Sequence, residues 1–288
     1  MMANHEWPLV FFTLFGQAAV GLIFALALLS AGKHKVLRLI YSKINRGVTI
    51  FAILAMVAAV LFSFLHLGSP VRAVYALSNL SSSWLSREIF MVIVFSGMLV
   101  VRFVFLLIFK DKESLNKIIL WLCVFAGAAM VYSMARLYMI RVVPPWDSAA
   151  TLVLFFSGSL ILGIPLFLSL LLAGNVVYPD KHGTTGFFRM MVSIVFLAFL
   201  VRIPFEIFAV IPIGTVGFPP SEISGFVAAL HYLLLTAGTG LLLAWGFIRL
   251  DIGETALKYI VLAAFLCLLL GEVAVKYIFY TGYYRIGV

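Results

Sequence analysis

Two ionisable residues frame one loop between long apolar runs: His66 in the stretch LHLGSP and Glu88 in SREIF. A charge at a membrane boundary is costly to keep, and an imidazole near a carboxylate can pass protons on. The pair therefore points to proton-coupled chemistry on a substrate dissolved in the membrane. Glu88 opens an apolar segment beside Arg87, so a carboxylate that merely complements a helix dipole is the competing reading. His66 stands next to Gly68 and Pro70, at a tight turn that suits the rim of a pocket better than open solvent.

The elements that hold this pair follow from composition. With 64% hydrophobic and 11% charged residues, 288 residues carry too little polar surface to cover a water-soluble globule. The net charge of +9 does not imply nucleic acid, because most Lys and Arg fall in short loops between apolar runs. Eight segments are long enough to cross about 30 Å of hydrocarbon, at about 8–32, 47–67, 88–109, 118–140, 150–177, 187–211, 224–248 and 257–281. Backbone groups in lipid must be satisfied within their own segment, so all eight are expected to be helices. The expected fold is an all-α polytopic membrane protein, one eight-helix bundle over residues 1–288 with no soluble domain, linker or fixed-period repeat. The opening MMANHEWPLV has no basic region, and the run after it is too long for a signal-peptide core, so the first span is expected to be retained.

Basic residues set the expected direction. Twelve Lys and Arg crowd the odd-numbered loops, Lys33 to Arg46 foremost, against five on the other face: Arg72, Arg87, Arg141, Lys276 and Arg285. The positive-inside rule then places both termini outside, in the periplasm or its equivalent, with His66 and Glu88 near the outer face.

Further charges lie within or beside the spans: Arg102, Arg136, Arg202, Glu206, His231, Glu272 and Lys276. Arg202 with Glu206, and Glu272 with Lys276, stand four residues apart on their helices, a spacing at which each pair can neutralise itself. Arg102 has no such partner and must find acceptors on another helix or line a wet cavity. Cys123 and Cys267 sit alone in apolar runs, which leaves no cysteine cluster for zinc or iron–sulfur chemistry. A b-type haem needs two imidazoles at one depth, and only His66 and His231 could share the outer leaflet. Gly163 and Pro165 in the fifth span and Pro204 in the sixth keep a third reading open, a transporter or channel built on broken helices.

The order of several short motifs resembles the membrane anchor subunit of anaerobic dimethyl sulfoxide reductase and related molybdoenzymes, nearly end to end. The motifs are HEWPL (His5 to Leu9), FTLFGQ (Phe12 to Gln17), LHLGSPVRA (Leu65 to Ala73) and Glu88–Ile89, then ARLY (Ala135 to Tyr138), VPPW (Val143 to Trp146) and GEVAVKYIFY (Gly271 to Tyr280). The resemblance implies a bacterial or archaeal cytoplasmic (inner) membrane protein that oxidises a quinol such as menaquinol. It implies partner subunits with iron–sulfur clusters and molybdopterin, and neither haem nor metal in this chain. The family's quinol-site histidine and glutamate fall on His66 and Glu88. Arg136, Tyr138 and Arg72 are weaker candidates for the other end of the same site. The terminal acceptor would be reduced on a partner subunit.

Overall fold

Helix is the structure these apolar runs must adopt, and the computed structural model of the protein has helix and turn without strand among its described residues. Those residues are 6–66, 75, 77–109, 112–174, 184–215, 222–248 and 254–281, described by backbone alone at His66, 208–215, 222–224 and 254. The helices are α1 (Trp7–Ser30), α2 (Lys35–His66), α3 (Trp84–Ile108), α4 (Glu113–Tyr138), α5 (Ala149–Ala173), α6 (Thr185–Thr215), α7 (Glu222–Phe247) and α8 (Glu254–Thr281), with one short 3-10 turn at Leu77–Asn79. Each is long and apolar enough to cross a membrane.

One boundary departs from expectation by three turns. The second helix starts at Lys35 rather than near residue 47, because hydropathy registers only the part of a helix that needs hydrocarbon. The prolines also behave differently from the broken-helix reading. Pro165 lies inside an unbroken α5, and α6 runs without interruption through Pro204.

Two helices form the centre. About 72% of the spanning window is buried in α1 and in α5, against 22–50% in the other six. Lipid is as apolar as leucine, so close backbone packing rather than hydrophobicity must join them. Gly21 and Gly163 provide it: a Cβ on Gly21 would stand 1.8 Å from the carbonyl oxygen of Ser159, and one on Gly163 would stand 2.2 Å from the backbone of Gly21. Around this crossing α2 packs on α1, α3 on α4, α7 on α8, and α8 against α5.

Candidate functional site

Glu88 lies in the second turn of α3, whose start is fixed by Ser83, the side chain of which accepts from the backbone N–H of Ser86 at 3.3 Å. It is only 5% exposed. Among the described residues no cation pairs with it and no donor hydrogen-bonds to it. A buried carboxylate without a partner is expensive, so its surroundings decide what it is for.

Those surroundings are a cavity of about 660 Å³ between α1, α2, α3 and α4. Leu9 and Phe12 of α1, Val60 and Phe64 of α2, and Leu85, Ile89, Val92 and Ile93 of α3 make its walls apolar. Phe64, Leu85, Ile93 and Val100 are also exposed on the outer surface of the bundle, so the cavity opens sideways toward lipid. Its polar groups are few: Glu88, the Tyr138 side chain at the end of α4, and the hydroxyls of Ser63 and Ser96. Ser63 already donates to the Val60 carbonyl at 2.8 Å, whereas the Ser96 hydroxyl has no partner among the described residues. A roomy apolar chamber with a few convergent polar groups is what a lipophilic ring with polar ends requires.

Beside Tyr138 lies an ordered pair of hydroxyls, those of Tyr280 and Thr13. Thr13 spends its one proton on the Leu9 carbonyl at 2.8 Å, so the Tyr280 hydroxyl, 2.5 Å from Thr13 Oγ1, must donate to it. The Tyr138 ring lies against the Tyr280 ring, with centroids 5.2 Å apart. Tyr138 itself lines the cavity. Rings of Trp146, Phe155, Phe279 and Tyr280 enclose the Tyr138 ring at centroid distances of 5.2–5.9 Å. Trp146 donates its Nε1–H to the Phe279 carbonyl at 3.0 Å and stacks on that ring. Three motifs far apart in sequence thus meet around one phenol.

The other residues singled out from sequence divide. Tyr138 is brought to the same cavity as Glu88. Arg136 is not: its guanidinium lies 4.9 Å from the centroid of the Trp84 ring, on which Arg87 also stacks at 4.3 Å. His66 is the last residue of α2, two positions beyond the cavity residue Phe64, and its side chain lies outside the described residues. Arg72 falls outside them altogether. Thr13, Ser96 and Tyr280 escaped the sequence reading, although Tyr280 lies within one of the motifs that carried the resemblance.

A second group of charges lies deeper, where α6, α7 and α8 meet α1 and α5. Arg202 bonds to Glu206 on its own helix, as the spacing suggested, and also reaches Glu272 on α8. The expected Glu272–Lys276 pair therefore does not form: Glu272 turns to the Arg202 guanidinium, and Lys276 Nζ sits 4.0 Å from the centroid of the Phe155 ring without a hydrogen bond. His231 directs Nδ1 to the Gly271 carbonyl at 2.7 Å and Nε2 toward Glu206 at 3.4 Å. Both ring nitrogens thus face protein groups, which removes His231 as a free axial ligand and weakens the haem pair read from sequence.

Residues 1–282 match the family model described as DMSO reductase anchor subunit (DmsC). The protein is similar to the YnfH subunit of anaerobic dimethyl sulfoxide reductase from Escherichia coli strain K12, 33% identical over 175 residues that make up 60% of each sequence. The C subunit of the Haemophilus influenzae Rd enzyme is 30% identical over 194 residues, 66% of this sequence and 67% of the relative. The C subunit from Escherichia coli strain K12 is 33% identical over 180 residues, 59% of each. The match therefore spans about 60% of the length of the first of these relatives.

Proposed function

The chain belongs to the dimethyl sulfoxide reductase anchor-subunit family, a family of multi-pass membrane proteins, and from that premise we propose that it oxidises a quinol, such as menaquinol, in the cavity beside Glu88. The observation that carries the reading is a buried carboxylate without a partner among the described residues, set in an apolar chamber open to lipid. A quinol enters between α2 and α3 and donates one hydroxyl to the Tyr138 oxygen, while Tyr138 turns its own proton to Tyr280, as Tyr280 does to Thr13. Glu88 accepts a proton as general base, and His66 binds or relays at the rim of the same chamber. Oxidation to the quinone releases two electrons and two protons. The electrons pass to an iron–sulfur partner subunit and on to a molybdopterin subunit, where dimethyl sulfoxide or a similar acceptor is reduced. This chain holds neither haem nor metal in that scheme and supplies no site for the terminal acceptor.

Placement follows the charge distribution. The whole chain forms one membrane domain in the cytoplasmic (inner) membrane, termini outward, with Lys33 to Arg46 in the cytoplasm. With no haem to relay electrons across roughly 30 Å of hydrocarbon, the acceptor cluster docks at the Glu88 end of the bundle.

Unbroken α5 and α6 remove the main support for the transporter alternative. The test is Glu88→Gln in membranes containing the assembled complex. Glutamine keeps shape and hydrogen bonding but accepts no proton, so oxidation of a menaquinol analogue should stop while a dye-to-acceptor assay that bypasses the quinol proceeds. Normal rates in both assays would return Glu88 to the role of a helix-start anion.

A further inference from the structure

The opposite end of the bundle carries a second cavity that quinol chemistry does not use. Helix α2 has 32 residues, about 48 Å at 1.5 Å per residue, against roughly 30 Å of hydrocarbon. Its first three turns, Lys35 to Arg46, therefore run on into the headgroup layer. Between them, the end of α3 and the start of α4 lies a cavity of about 430 Å³ lined by Arg38, Tyr41, Lys43, Asn45, Arg46 and Asn116, among others. The one carboxylate among its lining residues, Glu113, is already paired with Lys117 at 2.6 Å.

A fourth cation lies just beneath. Arg102 is fully buried, and its guanidinium donates to the Asn116 carbonyl at 2.8 Å, to Thr49 Oγ1 at 3.2 Å and to the Tyr41 hydroxyl at 3.4 Å. All three acceptors are neutral, and no ion pair joins Arg102 to a described residue. Tyr41 and Asn116, which hold Arg102, also line the cavity, so an anion bound there would rest over that buried charge. The surroundings are greasy: Leu39, Ile108 and Leu115, on the three helices that bound the cavity, are exposed. Concentrated cationic groups bordered by lipid-facing apolar side chains suit a ligand that is anionic at one end and hydrocarbon at the other.

We propose that this cavity binds the phosphate of an anionic phospholipid, whose acyl chains run along the exposed faces of α2 and α3. The phosphate supplies a counter-charge to Arg38, Lys43, Arg46 and the buried Arg102, none of which forms an ion pair among the described residues. A free phosphate shares the headgroup chemistry but gains nothing from the apolar rim.

The test uses the full chain, delipidated in detergent and titrated with phosphatidylglycerol, phosphatidylcholine or inorganic phosphate, with bound ligand read by native mass spectrometry. Wild type should take up phosphatidylglycerol in preference to phosphatidylcholine, and excess inorganic phosphate should not displace it. Arg38→Gln and Arg46→Gln should each weaken phosphatidylglycerol about fivefold without changing phosphatidylcholine. Both side chains are exposed, so these variants should fold, and Lys43→Gln offers an independent third. Equal uptake of both lipids, unchanged affinity in all three variants, or displacement by inorganic phosphate would overturn the proposal. So would phosphatidylglycerol that binds the isolated chain yet is missing from the complex purified from native membranes, since the surface would then belong to a partner subunit.

Discussion

Removing the Tyr138 hydroxyl tests the proposal that Tyr138 donates to Tyr280, which donates to Thr13 and so toward the Leu9 carbonyl. Because Thr13 has committed its proton, Tyr280 donates toward it, and a Tyr138 that donates to Tyr280 in turn would present an oxygen lone pair to the cavity. Such a wall would favour a quinol, which donates, over a quinone, which only accepts. In Tyr138→Phe a quinol hydroxyl is buried without an acceptor, at a cost of about 1–3 kcal/mol, so kcat/KM for a menaquinol analogue should fall about 5- to 150-fold. Inhibition by the product quinone should hardly change. Tyr280→Phe supplies the contrast: it removes the acceptor proposed for Tyr138, whose proton should then swing toward the cavity. Quinol should bind more weakly and quinone should inhibit more strongly. Steady-state oxidation with added quinone, run beside the dye assay, reads both quantities. If both variants kept wild-type kcat/KM and wild-type quinone inhibition, the directional row would play no part in binding.

Two further predictions concern the bundle itself. Gly163→Ala should cost about 1–3 kcal/mol of stability, because its Cβ would stand 2.2 Å from the Gly21 backbone and force α1 from α5; Gly47→Ala, with nothing within 4 Å, should be neutral or slightly stabilising in the same thermal-unfolding measurement. Arg202→Met should cost about 3–5 kcal/mol by stranding Glu206 and Glu272, and adding Glu272→Gln should recover part of that loss in a double-mutant cycle.

Much of the fold was legible because lipid imposes one requirement on every span, an apolar run long enough to cross it. The N-terminal turns of α2 were not, since Lys35, Arg38, Lys43 and Arg46 hold their hydropathy below that of a span; the helical spacing of Leu37, Ile40, Tyr41 and Ile44 was the signal that hydropathy alone passes over. Glu88 stands out in the sequence as a carboxylate at a span boundary, but its burial in a lipid-facing cavity depends on how four helices meet, which no single span encodes. Its neighbours were hidden for a plainer reason. Thr13 and Ser96 are hydroxyls within apolar helices, where most such groups only bond the preceding turn, and their placement depends on how α1, α3 and α8 meet. Arg136 looked available because sequence cannot show that the Trp84 ring lies beneath it. Glu272 and Lys276 mislead in the same way: spacing along one helix reports possible partners, and a guanidinium from α6 outcompeted the local one.

The central claim is that Glu88 takes a proton from quinol in this cavity. Infrared difference spectroscopy on the assembled complex, triggered by quinol oxidation, observes that proton directly. The account predicts a carbonyl band of a newly protonated carboxylic acid that disappears in Glu88→Gln while dye-driven turnover persists. A difference spectrum with the same carboxylic acid band in wild type and Glu88→Gln would contradict it.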